Sequence, residues 1–297
     1  MRRNLAGKML LAGLIALMTV FVVACGDSDD DAPTTQATAA PSFPAGSTMA
    51  QIADRGKIVI GVKYDVPLFG LLDPISRKVD GFDIAVGKEI AKALGLQEGQ
   101  VEFVEAVTAN RIPFLLEDKT DLIISTFTIT EARKQEIDFS RPYYKAGQSI
   151  LVKRENTTIN TVTDLNGRSV CAQAGSTSER NVMEKAPQAQ LLPLQVISAC
   201  VSAMKDGRVD AVSTDDIQLA GFASLDTSLK LVGGQFTTEL YGVGVKKGKS
   251  DLVQFVNAEL GKMLQDGRWE KIYTQYLGSV QGLPSPTQAK ADLPPTS

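Results

Sequence analysis

Between about Met49 and Gly278, short apolar runs alternate with amphipathic stretches, and the pattern runs its course twice. That alternation predicts strands regularly followed by helices, and hence sheets with helices on their faces. In the first pass, Lys57 to Lys63 reads as a buried strand. A turn at Val79-Asp80-Gly81 follows, then a helix over about Asp83 to Leu94 that Gly95 ends. Val101 to Ala106 reads as a strand, Asn110 to Asp118 as a helix and Asp121 to Ser125 as a strand. After Tyr143-Tyr144 the second pass gives strands at Ser149 to Lys153, Ser169 to Gln173 and Ala211 to Thr214. Helices near Glu179 to Lys185 and Ile197 to Lys205 lie between them. A last strand, Tyr241 to Lys247, leads to a helix over Asp251 to about Gln265, with Ser250 expected to cap its start and Gly267 its end. Two α/β units imply two lobes with a cleft between them, faced by the C-terminal ends of parallel strands.

Ahead of this body stand Arg2, Arg3 and Lys8 and then an apolar run from Met9 to Val23. The run falls short of the roughly 20 residues that a spanning helix needs, and a basic start before it reads as a secretory signal. The run ends Val22-Val23-Ala24-Cys25-Gly26, which resembles a bacterial lipobox. Cleavage after residue 24 and acylation of Cys25 are the expectation, with an ordinary signal peptide as the alternative. Residues 25–48, opening with Asp27, Asp29, Asp30 and Asp31 and continuing in Ala, Thr, Pro and Ser, read as a disordered tether. Residues 279–297, with four prolines, read as a disordered tail.

Composition removes several function classes. The 297 residues carry 31 basic and 34 acidic side chains, a net charge of -3. Without the first 24 residues, which hold three basic and no acidic side chains, the balance is 28 against 34, or -6. Neither value suits a nucleic-acid binder. The chain has no His, which removes Ser-His-Asp and Cys-His catalysis and most zinc sites. Cys171 and Cys200 form an even pair in an exported chain, so a disulfide is expected, with two buried thiols as the alternative.

The most distinctive stretch is Asp121 to Tyr144, DLIISTFTITEARKQEIDFSRPYY. Hydroxyls and N–H groups at a strand end, beside a helix start and Arg133, are what a carboxylate needs. From the residues alone a surface Arg133 fits equally well. The stretch resembles the core motif of family 3 of the bacterial extracellular solute-binding proteins, the amino-acid receptors of ABC importers. Gly81-Phe82-Asp83, Gly175-Ser176-Thr177, Gly207-Arg208-Val209-Asp210 and Gly267-Arg268-Trp269-Glu270-Lys271-Ile272-Tyr273 extend the resemblance over nearly all of Lys57 to Gly278.

The resemblance implies a two-lobed, type II periplasmic-binding-protein-like α/β fold, with two parallel or mixed sheets, flanking helices, a two-segment hinge and a ligand cleft. Lobe 1 would be 49–144 plus 237–278, and lobe 2 145–236. It implies a lipid-anchored, monomeric receptor on the extracytoplasmic face that hands its solute to permease subunits, with no cofactor, no metal and no catalysis. It also implies roles for particular residues. Arg133 grips the ligand α-carboxylate, Thr128 and Thr126 add contacts, the Phe127 carbonyl accepts from the ammonium, and Asp215 pairs that ammonium from the second lobe. Ser176 and Thr177, at a helix start, suit an anion. Arg111, in Thr108-Ala109-Asn110-Arg111-Ile112-Pro113, resembles the residue that meets a distal carboxylate, and Lys63 stands where receptors for basic amino acids resemble one another in having an acid. Val66 and Thr108 replace the usual aromatic sandwich. Asp83 is expected to cap its own helix and Trp269 to pack beneath the first lobe. Three cations against Asp215 point to glutamate, with aspartate close behind. A sensor with the same binding event, or a cyclohexadienyl-dehydratase-like enzyme, is the rival reading.

Overall fold

A computed structural model describes residues 41–294. The expected signal peptide, Cys25 and most of the expected tether lie outside the described residues. Helix α1 (Thr48–Arg55) leads into β1 (Ile58–Val62), the short strands β2 (Asp65–Val66), β3 (Gly70–Leu72) and β4 (Val79–Asp80), and α2 (Phe82–Ala93). Then come β5 (Val101–Glu105), α3 (Arg111–Leu116), β6 (Leu122–Ile123), α4 (Glu131–Glu136) and β7 (Ile137–Ala146). The second lobe holds β8 (Gln148–Lys153), β9 (Ser169–Gln173), α5 (Thr177–Lys185), β10 (Gln190–Leu194), α6 (Ile197–Lys205), β11 (Ala211–Asp215), α7 (Asp216–Leu225) and β12 (Leu229–Val232). The chain returns through β13 (Glu239–Lys246), α8 (Ser250–Asp266), α9 (Arg268–Leu277) and α10 (Pro286–Ala291).

The first sheet has the order β5-β1-β6-β13-β7 and the second β10-β9-β11-β8-β12. Each is parallel over its first three strands and antiparallel beyond them, so the sheets are mixed. Four of five residues are buried in each of β1 and β9, as in strands covered on both faces. The small sheet β2-β3-β4 packs on α2 and, through β2, touches α6 and α7 of the second lobe. The chain crosses between the sheets twice, at Ala146-Gly147-Gln148 and between Val232 and Glu239. The crossings run side by side: the Phe236 N–H donates to the Gln148 carbonyl (3.0 Å), and the Gln148 N–H donates to Thr237 Oγ1 (3.0 Å).

Three local expectations give way to the structure. Ser250 does not cap α8; it is the first helical residue, and the Asp251 carboxylate instead takes the Thr48 N–H (2.6 Å) and hydroxyl (2.9 Å), pinning α1 to α8. Residues 279–294 are not a disordered tail. Pro286 occupies the first turn of α10, where its missing N–H costs nothing. Tyr273 Oη donates to the Pro284 carbonyl (2.9 Å), Lys290 pairs with Glu270, and Leu293 is buried. At the other end, residues 41–48 are not free tether: Phe43 meets Phe255 edge-on at 5.7 Å and Ser47 caps α1. Gly267, in the left-handed region at φ 84°, ends α8 as expected.

Candidate functional site

The cleft is assembled around the turn after β6. Gly81 prepares it: at φ 145°, with any Cβ falling 2.3 Å from the Phe69 backbone, only glycine fits the approach that starts α2. Asp83 is thereby buried, but it does not cap α2. It reaches across to accept from the Thr126 N–H (2.8 Å) and Tyr143 Oη (2.7 Å). Those bonds hold Thr126 in the left-handed region, φ 42°, an unusual conformation for a β-branched residue. Burial pushes the Asp83 carboxyl up to about 7 despite both bonds. Trp269 donates Nε1 to the Tyr143 carbonyl (2.8 Å) and packs edge-on against Phe82 beneath this turn.

Two guanidinium groups lie over one ring. Arg111 is centred 4.2 Å and Arg133 4.9 Å from the Phe127 ring centroid, a cation–π arrangement for both. Arg111 donates to the carbonyls of Thr108 (3.2 Å), Ser125 (3.0 Å) and Thr126 (3.1 Å). Thr130 caps α4 by accepting from the Arg133 N–H, and Arg133 donates to the Thr128 carbonyl (2.7 Å). Its other arm reaches the Gly175 carbonyl of the second lobe at 3.4 Å. Burial holds both guanidiniums below their ordinary range, Arg133 at about 10, and Arg133 lowers Arg111 further. The Phe127 carbonyl accepts from the Gly242 N–H in the sheet (3.0 Å), and Phe127 does not border the cavity described below. Phe127 serves the site with its ring.

Lys63 does not border the cleft. Its ammonium is buried at the end of β1 and donates to Thr108 Oγ1 (2.7 Å). Burial, then repulsion from Arg111, lowers it to about 7. Thr108 stands between Lys63 and the cavity.

The second lobe supplies the facing wall. Ser176 caps α5 by accepting from the Glu179 N–H (3.0 Å), which leaves Thr177 as the first helical residue. At the end of β11, Asp215 Oδ2 accepts from Tyr241 Oη and from Gln218 Nε2 (3.1 Å), while Oδ1 is buried without a partner. Burial, then the Glu239 carboxylate, pushes Asp215 up to about 7. Asp216 turns away toward the crossing segments, accepting from the Gly147 N–H (3.2 Å) and Gln235 Nε2 (2.7 Å).

Thr108, Arg111, Thr126, Thr128, Arg133, Ser176, Thr177 and Asp215 therefore border one narrow cavity of about 10 Å³. That is room for about one water molecule, so the two walls lie nearly in contact. Four further lining residues, Gln173, Ser178, Thr214 and Gln218, escaped the sequence reading. Two of them carry buried side-chain atoms with no partner, Gln173 Nε2 and Gln218 Oε1. Gln218, three residues past Asp215 on a helix, was open to detection from spacing. Unpaired buried polar atoms call for an explanation. With Asp215 Oδ1, the residues bordering the cavity thus carry one unpaired donor and two unpaired acceptors, the kinds of group that the two ends of a zwitterion need. Elsewhere, Cys171 and Cys200 are joined by a disulfide that ties β9 to α6. Among the described residues, no cluster of His, Cys, Asp and Glu could hold a metal, and no helix is long and apolar enough to cross a membrane.

Residues 58–279 match the family model described as bacterial extracellular solute-binding proteins, family 3. The ABC transporter glutamine-binding protein GlnH of Bacillus subtilis is 41% identical over 272 residues, 91% of this chain and 97% of that protein. The glutamate-binding protein GluB of Corynebacterium glutamicum is 30% identical over 279 residues, 90% and 89% of the two chains. Among solved structures, an ancestral arginine-binding protein bound to glutamine superposes with a TM-score of 0.72 at 39% identity, over 76% of this chain and 99% of that one.

Proposed function

This chain belongs to the bacterial extracellular solute-binding proteins, family 3, and from that premise we propose that the amino acid it captures is acidic, glutamate first and aspartate close behind. The coarser role follows from membership: it is an extracytoplasmic amino-acid receptor of an ABC transporter rather than an enzyme. The observation that carries the finer reading is the charge of the lining. Two guanidiniums and one carboxylate border the cavity, and an acidic amino acid, with two carboxylates and one ammonium, balances them. Leaving a desolvated charge unpaired costs about 3–5 kcal/mol.

Arg133 takes the α-carboxylate through its planar fork. Asp215 Oδ1 and Gln218 Oε1 accept from the ammonium. Arg111 and, through Thr108, Lys63 supply the positive field for the distal carboxylate, with the Gln173 amide as a further donor. Because Arg133 rises from the first lobe and Asp215 from the second, all contacts coexist only when the lobes close about the paired crossings, so the ligand favours the closed state. The lobes divide near Lys145 and Phe236. The permease then reads the closed form, and acylation of Cys25 holds the receptor at the membrane. Glutamate against aspartate turns on one methylene, about 1–3 kcal/mol.

One observation favours glutamine instead. GlnH is named for glutamine, as is the ligand of the ancestral structure, and Arg111 already donates to three carbonyls. Calorimetric titration with L-glutamate, L-aspartate, L-glutamine and L-lysine decides the matter. Glutamate binding at least tenfold tighter than glutamine supports the acidic reading. A preference for glutamine refutes it.

A further inference from the structure

We infer that Glu239 is a specificity-determining residue of the cleft: without lining the cavity, its charge sets how strongly an anionic ligand side chain is favoured over a neutral one. The inference rests on the amino-acid reading above and goes beyond it in assigning a role to a buried acid outside the lining.

Glu239 opens β13, and strand alternation puts it on the same face as Tyr241, the residue that holds Asp215. It is 3% exposed. Oε1 accepts from Thr237 Oγ1 (2.9 Å) and Asn181 Nδ2 (3.2 Å), and Oε2 is buried with no partner. Asn181 lies one turn along α5 from Thr177. On the other side, the Ile129 N–H donates to the Leu240 carbonyl (2.8 Å), which lays the start of β13 beside the segment that carries Thr128 and leads into Arg133. The carboxylate is thus wedged between the α-carboxylate clamp of one lobe and the helix start of the other. Both Arg133 and Asp215 feel it, each held toward its protonated form.

Nothing in the packing asks for an ion at this position. Among the described residues no Lys or Arg nitrogen lies within 4 Å of Glu239, and an amide of the same shape could accept the same two bonds. What the charge does is offset the surplus of the two guanidiniums. A ligand with a second carboxylate is repelled by it, whereas glutamine is not. The acid therefore restrains the acidic preference that the lining creates, and its identity tunes the ratio between the two ligands.

Calorimetry on the wild type and on Glu239→Gln, with L-glutamate and L-glutamine at pH 8, tests this. The ratio of glutamate to glutamine affinity should rise roughly six- to sixteenfold in the variant, the effect of one unit charge acting over about 10 Å at an effective dielectric constant of about 20–30. Glu239→Met, which removes the charge without offering an amide, should shift the ratio the same way, and Glu239→Asp should leave it alone. If the charge-removing variants weaken both ligands equally, or change neither, Glu239 is structural and the inference fails while the ligand reading stands. Wild-type protein that binds neither ligand overturns both.

Discussion

Asp215→Asn separates the two things that Asp215 does. The variant keeps the shape and one oxygen for Tyr241 and Gln218, but it removes the charge aimed at the ligand ammonium. Truncating one partner of a buried, hydrogen-bonded charge pair costs about 2–5 kcal/mol, a loss of affinity between roughly thirtyfold and several thousandfold. Stability should move the other way. The folded carboxyl titrates at about 7 against 3.8 as an isolated group, so above pH 7 the native state carries an ionised group that burial disfavours. The penalty is absent below pH 3.8, grows as pH rises through the window from 3.8 to 7, and is complete beyond it. Three pH units correspond to an upper bound on the order of 4 kcal/mol. At pH 8 without ligand the Asn variant should therefore melt higher than wild type, and at pH 4 the difference should vanish. Thermal unfolding at both pH values, with calorimetry at pH 8, measures both effects. A variant that binds glutamate as tightly as wild type, or whose unliganded stability gains nothing between pH 4 and pH 8, refutes the reasoning.

Three other variants probe separate parts of the site and scaffold. Arg133→Lys keeps the charge but loses the fork that spans Thr128 and Gly175, so glutamate and glutamine should both weaken by about 100-fold in the same calorimetric assay. Lys63→Met removes an ammonium that titrates at about 7 when folded and 10.5 when exposed. In wild type the unfolded chain holds more protons between those values, so stability rises with pH across that window. The Met variant should lack this rise in thermal melts, be the more stable protein at pH 7, and show less preference for glutamate over glutamine. Replacing Cys171 and Cys200 together by Ala opens a link between residues 29 apart and should cost about 3 kcal/mol in denaturant melts with the ligand affinity unchanged.

The periodic parts of the chain were legible because burial repeats locally. Helix α6 and strand β9 fall where the apolar spacing puts them, and Arg133, Ser176, Thr177 and Asp215 converge as their motifs imply. Strand β7 was missed: ten residues long, it contains Pro142 and has mixed burial, as an edge strand can. The partners of Asp83 were beyond local reading, since Thr126 and Tyr143 are 43 and 60 residues away. The same holds for charge. A count over motif positions includes Lys63 and omits Glu239, yet folding hides Lys63 behind Thr108 and brings Glu239 beside Asp215. Neither fact is carried by the spacing of either residue.

The strand order of the first sheet has a consequence for how the molecule comes into being. β13 sits between β6 and β7, although more than ninety residues of chain separate it from β7. The second sheet draws all its strands from one continuous stretch and can close on itself early. The first cannot be completed until the chain beyond Thr238 arrives, and such distant pairings are the slow steps of folding. That late strand brings Tyr241 and Glu239 with it. Until that strand is paired, Asp215 has only Gln218 of its own lobe to hold it and lacks the Tyr241 hydroxyl, so the solute site is completed by the same long-range pairing that completes the sheet.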